Sequence, residues 1–158
     1  MLSVMEVILA LKSAPLFREV PGEGLKRLSD FTHEKSVSEG EMIFAEQDHG
    51  DEMYLVHRGC VSVFQDVEGD TVVMDTIRDG GHFGEMAIID DQPRSASAVA
   101  DQDSSLLVLH KNDFRSAVQD YPDIAFEVFR ELVRRLRQTD ERYRDLIVEA
   151  RRLGLETR

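Results

Sequence analysis

The chain has 158 residues, 42% of them hydrophobic, and a net charge of −12. That is enough apolar material for one globular domain with an ordinary core, and it excludes a disordered chain. A single cysteine, Cys60, excludes an internal disulfide framework and suits a reducing cytoplasm. No apolar run approaches the roughly 18 residues of a membrane span.

The charge is unevenly placed. From Glu127 to Arg158 nine arginines stand against seven Asp or Glu, so the preceding body carries the whole acidic excess. Such a body repels a polyanion such as DNA, and an anionic ligand needs a local cation.

Met1 to Lys12 carries Val4, Met5, Ile8, Leu9 and Leu11, a spacing that predicts a helix with one apolar face. The same stretch contains Glu6 and has no basic start, so it reads as an amphipathic helix and not as a signal peptide. Pro15 ends it, and Leu16, Phe17 and Val20 anchor the following turn. Gly22 to Phe31 repeats the helical spacing with Leu25, Leu28 and Phe31.

From Thr32 to His110 the period changes. Glycines at 40, 50, 59, 69 and 80 punctuate short runs rich in β-branched and aromatic residues, the pattern of a β-sandwich or barrel. Strands are predicted at Met42–Ala45, Met53–His57, Val61–Gln65, Thr71–Ile77, Ser97–Ala100 and Leu106–His110, with a hairpin turn at Glu68-Gly69-Asp70. The architecture expected is mainly β, an antiparallel jelly roll (double-stranded β-helix) flanked by N-terminal helices and a long C-terminal helix. Cys60, beside Val61 and Val63, reads as a core residue.

The segment Gly81 to Ala98 interrupts the strands. Gly84 lets the backbone approach a ligand closely. Glu85 to Ile89 is long enough for about one helical turn, whose first amides are free to bind phosphate. Pro93 stops the turn and is followed by Arg94 and Ser95, a guanidinium fork and a hydroxyl suited to phosphate oxygens. A carboxylate, a guanidinium and a ring of amide donors fit a ligand with hydroxyl and phosphate groups, in other words a nucleotide.

Asn112 is placed to cap a short helix through Phe114, Ala117 and Val118. Pro122 then opens a breaker-free run to Leu153 as an N1 proline. Ala125, Phe129, Leu132, Leu136, Thr139, Tyr143, Leu146, Ala150 and Leu153 alternate spacings of four and three, the a/d seam of a coiled coil. With Leu132 at d, Arg135 falls at g and Asp140 at the next e, an opposite-charge pair between parallel helices. A parallel homodimer is expected; the alternative is a helix lying along its own domain. Thr139 is the polar member of the seam, either a register device or a base-reading hydroxyl.

Phe83-Gly84-Glu85-Met86-Ala87 followed by Pro93-Arg94-Ser95-Ala96 resembles the phosphate-binding cassette of the cyclic nucleotide-binding domain family. The family includes bacterial catabolite activators, regulatory subunits of cAMP-dependent kinase and gated channels. The lead-in Ala14-Pro15-Leu16-Phe17 and Pro21-Gly22-Glu23-Gly24-Leu25 resembles the same family. The resemblance implies a jelly roll that binds a 3′,5′-cyclic nucleotide. Glu85 would accept the ribose 2′-hydroxyl and Arg94 would pair with the cyclic phosphate. Gly84, Met86, Ala87, Ser95 and Ala96 would complete the phosphate shell, and Met74 and Ile77 would wall the base. Arg134-Arg135-Leu136-Arg137-Gln138-Thr139 keeps the spacing that in catabolite activators sets a threonine against the adenine amino group, which favours cAMP over cGMP. Gln47 and His49 depart from the family pattern at positions that are not expected to touch the trap.

No His pair with cupin spacing, no legible nucleophile triad and no phosphate-loop lysine accompany these residues. The chain is therefore expected to be a cytoplasmic regulatory sensor, with no metal, no cofactor beyond its ligand and no enzymatic activity. Residues 1–120 would form the nucleotide-binding unit and 121–158 its dimerisation and lid helix. No recognition-helix pattern follows the seam, so DNA binding by this chain alone is not expected. The alternative from a different class is a structural dimerisation module whose jelly roll has lost its ligand or binds another small effector.

Overall fold

A computed structural model describes residues 2–155; Met1, the first residue of the expected N-terminal helix, lies outside them. Helix α1, Val4–Ser13, begins where Ser3 and Glu6 form a reciprocal capping box, with Glu6 N 3.3 Å from Ser3 Oγ and Ser3 N 2.7 Å from Glu6 Oε2. Its buried face is set by Val7 and Leu11, whereas Val4, Met5 and Leu9 point outward. The helix stands as expected but rotated, because the turn Leu16–Val20 fixes which side meets the body. Helix α2 spans Gly22–Phe31 and buries Leu25 and Leu28.

Eight strands follow: β1 His33–Val37, β2 Met42–Phe44, β3 Glu52–Arg58, β4 Cys60–Val67, β5 Asp70–Arg78, β6 His82–Phe83, β7 Ser97–Ala100 and β8 Ser104–His110. They form two antiparallel four-stranded sheets, ordered β1-β8-β3-β6 and β2-β7-β4-β5. This is the expected mainly β architecture with flanking helices, and the six predicted strands are all present. The Glu68-Gly69 turn joins β4 to β5 with φ of 56° and 92°, the two positive values that an I′ hairpin turn needs.

The central strands of the first sheet, β3 and β8, are buried on both faces. Met53 and Leu55 of β3, with Leu107 and Leu109 of β8, pack under the helices against Leu11, Phe17, Leu25 and Ile124. The alternate residues Tyr54, Val56, Leu106 and Val108, with Phe83 of β6, face the second sheet, where Val61, Ala98 and Ala100 close the sandwich. Two-sided burial explains why these strands read as continuous apolar runs. Cys60 is buried at the start of β4, its Sγ 3.4 Å from Asp101 Oδ2.

Helix α3, Glu85–Asp90, leaves the sandwich between β6 and β7. Helix α4, Lys111–Asp120, is capped by His110 and not by Asn112: Asn112 N donates to His110 Nδ1 at 3.2 Å, while His110 Nε2 meets Asp51 Oδ2 at 2.9 Å. Helix α5, Asp123–Arg152, starts one residue after Pro122, and its 30 residues make it about 45 Å long. Ile124, Val128 and Glu131 are its buried residues. Phe129, Leu136, Tyr143, Leu146 and Leu153 are each more than half exposed, so most of the predicted seam has no cover within this chain. No helix among the described residues is long and apolar enough to cross a membrane.

Candidate functional site

Arg94 is the buried cation of the fold, 4% exposed. Its Nη1 donates to Gly84 O at 3.0 Å and its Nη2 to Glu52 O at 2.7 Å, and the guanidinium lies 4.1 Å over the Phe44 ring. Its Nε is buried with no hydrogen-bond partner among the described residues. Among the described residues no carboxylate comes within the 4.0 Å of an ion pair. Burial pulls its pKa below the ordinary value, against the pull of Tyr54 and the nearby carboxylates Glu52, Asp51 and Asp48. A buried guanidinium seated on neutral acceptors keeps its charge available to an anion.

Backbone holds the same residue in place. Gln47 N donates to Arg94 O at 2.9 Å and Arg94 N donates to Asp48 O at 2.8 Å. Gln47 therefore does touch the trap, and it does so at φ 69°, a left-handed backbone. Two glycines make the room. A Cβ on Gly84, itself at φ 79°, would meet Arg94 Nη1 at 2.8 Å, and one on Gly50 would run into the guanidinium. Gly84 is also the N-cap of α3, whose first amides have no carbonyl one turn back to bond.

Glu85, the first residue of α3, is also buried. Arg135 reaches down from α5 and places Nη1 2.8 Å from Glu85 Oε1. Burial raises the Glu85 pKa above the usual carboxylate value, and Arg135 opposes that shift. Arg135 is thus held inward within the single chain by Glu85 and by Glu131 on its own helix.

These groups converge on a solvent-open cleft with about 590 Å³ of empty space. It is lined by Gly84, Glu85, Met86, Ala87, Arg94, Ser95, Ala96 and Ile77 of the expected set. Met74 and Thr139 lie outside it. Met74 is 55% exposed and sits where the β4–β5 register slips between Val63↔Asp75 and Phe64↔Val73, so Asp75 and Ile77 form the cleft-side row instead. Thr139 is exposed and its Oγ1 donates to Arg135 O at 3.0 Å, tied to its own helix.

Six further residues line the cleft: Phe44, Val63, Asp75, His82, Phe83 and Arg135. Arg135 had a signal in the chain, since Ile124, Val128, Glu131 and Arg135 form a second row at spacings of four, three and four beside the coiled-coil seam. His82 is 2% exposed, and burial, with Arg135 beside it, pushes its pKa down to about 3. Among the described residues no group of three or more His, Cys, Asp or Glu is placed to hold a metal ion.

The family model for the cyclic nucleotide-binding domain matches residues 34–121, more than half of the chain. The chain belongs to that family. It is 33% identical over 131 residues to the cyclic AMP receptor protein of Thermus thermophilus, a match covering 82% of this chain and 61% of that protein. It is 28% identical over 117 residues to human cGMP-dependent protein kinase 2, covering 72% of this chain and 15% of the kinase. The crystal structure of Thermus thermophilus catabolite activator protein superposes with a TM-score of 0.77 at 32% identity, over 85% of this chain and 63% of that one. The chain spans about 60% of the length of the bacterial relatives it matches. The segment from β6 through α3 to β7 brings the Arg94 guanidinium and the Glu85 carboxylate to this cleft.

Proposed function

We propose that the chain is a regulatory sensor, not an enzyme, that binds a 3′,5′-cyclic nucleotide in this cleft, with cAMP favoured over cGMP. The observation that carries the reading is the buried Arg94 guanidinium with no carboxylate in ion-pair range among the described residues. The cyclic phosphate pairs with Arg94, helped by the Ser95 hydroxyl and the amides near Ala87 and Ala96. Glu85 accepts the ribose 2′-hydroxyl, and the base lies toward Ile77. The preference for cAMP is supported by the spacing of Thr139 and by the likeness to a bacterial cyclic AMP receptor protein.

Occupancy passes to α5, because the ribose hydroxyl and Arg135 compete for the same carboxylate. The helix that feels the exchange at Arg135 also carries the exposed seam, whose apolar residues support a parallel homodimer. A ligand seen differently by two arrangements of α5 must shift the balance between them. The acidic body argues against DNA as a partner of this chain alone.

Titration calorimetry of cAMP and cGMP tests the reading. Arg94→Ala should lose about 1.5–3 kcal/mol or more, the scale of a charge-assisted bond, and Arg94→Lys should recover little because a point charge cannot replace the fork. Equal affinities for wild type and Arg94→Ala would remove Arg94 from the phosphate site. No binding of either nucleotide would leave a structural dimerisation module.

A further inference from the structure

One guanidinium on α5 touches three acceptors. Arg135 Nη1 is 2.8 Å from Glu85 Oε1, Nε is 3.4 Å from Glu131 Oε1, and Nη2 is 3.5 Å from His82 Nδ1. Two of these partners are carboxylates and the third is a ring in β6. His82 is paired with Leu55 of β3 and is 2% exposed, so the ring is fixed in the sheet beside Phe83. Arginine only donates, so Nδ1 faces it as an acceptor and the proton belongs on Nε2. That Nε2 is buried with no hydrogen-bond partner among the described residues. An orphaned donor costs stability that an apolar ring of similar size would not, so the histidine is explained by what its other nitrogen accepts.

We propose that His82 is a positioning residue for Arg135: its neutral Nδ1 is the seat that keeps the guanidinium over the cleft once a ligand hydroxyl occupies Glu85. The proposal rests on the cyclic nucleotide reading of the cleft. When the ribose hydroxyl donates to Glu85, it competes with Arg135 for the carboxylate's lone pairs. Glu131 still holds Arg135, but Glu131 is on the same helix and ties α5 to nothing. His82 is then the contact that links the Arg135 guanidinium to the sheet beneath the cassette. A neutral acceptor suits this role, because a protonated ring would repel Arg135. The charged groups that face the ring are Arg135, Glu131 and Arg134, with Glu85 on the far side of the guanidinium. With its pKa pushed down to about 3, the ring stays neutral throughout the ordinary pH range.

His82→Phe keeps the ring and removes the acceptor, and His82→Asn keeps an acceptor where Nδ1 stands. The full chain is measured with and without cAMP by titration calorimetry and by amide hydrogen exchange along residues 131–139. His82→Phe should bind cAMP about threefold to tenfold more weakly, the range set by one hydrogen bond. It should also lose the ligand-induced slowing of exchange in that segment, while melting no lower than wild type in the absence of ligand. His82→Asn should keep most of both responses. The affinity ratio of wild type to His82→Phe should stay constant from pH 5.5 to 8. Matching affinity and exchange in wild type and His82→Phe would overturn the seat while leaving the cleft a nucleotide site. A ratio that collapses below pH 6.5 would overturn it too, since the ring would be titrating as an exposed histidine. Absence of cAMP and cGMP binding in the wild type would overturn the seat and the nucleotide reading together.

Discussion

Arg135 Nη1 donates to Glu85 Oε1 at 2.8 Å, joining the long helix to the first residue of the cassette helix. The contact sets a guanidinium against a buried carboxylate, the group that the proposed reading gives to the ribose.

The pair makes stability depend on pH in a set direction. Burial raises the Glu85 pKa above its unfolded value near 4.5, so the folded state binds the proton more tightly. Its contribution to stability is then present at low pH and falls as pH rises from about 4.5 through the raised folded value. Glu85→Gln should remove that fall and give a ligand-free chain at least as stable at pH 7, while cyclic nucleotide affinity is lost. Thermal melts from pH 4 to 8 with and without cAMP check both halves. A variant that melts well below wild type at pH 7 would show that the ion pair outweighs the burial of the charge.

Gln47 carries backbone strain next to Arg94. At φ 69° a residue with a Cβ is disfavoured by about 1 kcal/mol, and glycine is not. Gln47→Gly should therefore stabilise the chain by about that much. The corresponding rise in Tm is roughly 2–4 °C. The Gln47 N–H that bonds Arg94 O is kept, so ligand affinity should hold. A lower Tm would mean that the glutamine side chain or the freed unfolded chain outweighs the strain.

The exposed seam predicts a dimer. Leu136 and Leu146 are 61% and 67% exposed in the single chain, so aspartate there costs the monomer little. In an apolar helix–helix interface two unpaired charges are costly. Sedimentation of Leu136→Asp/Leu146→Asp should show a monomer that melts as a folded domain. Wild type that is monomeric at tens of micromolar would end the coiled-coil reading.

What could be read in the chain divides along physical lines. The strands Met53–Val56 and Leu106–Leu109 were legible because both faces are buried and the apolar runs are unbroken. β1 was not, since four of its five residues avoid full burial and HEKSV has no apolar alternation. β6 has only two residues, too few for any period. The cassette was legible because its parts lie within one short stretch. Arg135 was not, because its partner stands fifty residues earlier and its heptad position pointed to a second chain. Met74 and Ile77 are three apart, a helical spacing that puts them on opposite faces of a strand, and the register slip at Met74 adds to this. The face of α1 depended on where the next turn docks, which no local period encodes.

Thr139 remains the sharpest test of how the base is read. Its hydroxyl donates to Arg135 O at 3.0 Å, one turn back, and the residue lies outside the cleft lining. It is also the polar member of a seam that is otherwise apolar or aromatic, and it keeps the spacing of the adenine-contacting threonine. A hydroxyl can donate to the carbonyl and still accept from an amino group, so the two roles are compatible. Thr139→Val preserves shape and removes only the hydroxyl, and the dimer should survive or tighten because a polar atom leaves an apolar line. If the hydroxyl also bonds the adenine amino group, cAMP should lose about 0.5–1.5 kcal/mol, the net worth of one hydrogen bond. cGMP has no amino group at that edge and should lose less. Coupling is reciprocal, so any effect of nucleotide on dimer affinity should shrink with it. Calorimetric affinities for both nucleotides, in wild type and Thr139→Val, decide the matter: an unchanged cAMP-to-cGMP preference would make Thr139 a register device and leave base selection to the cleft wall at Asp75 and Ile77.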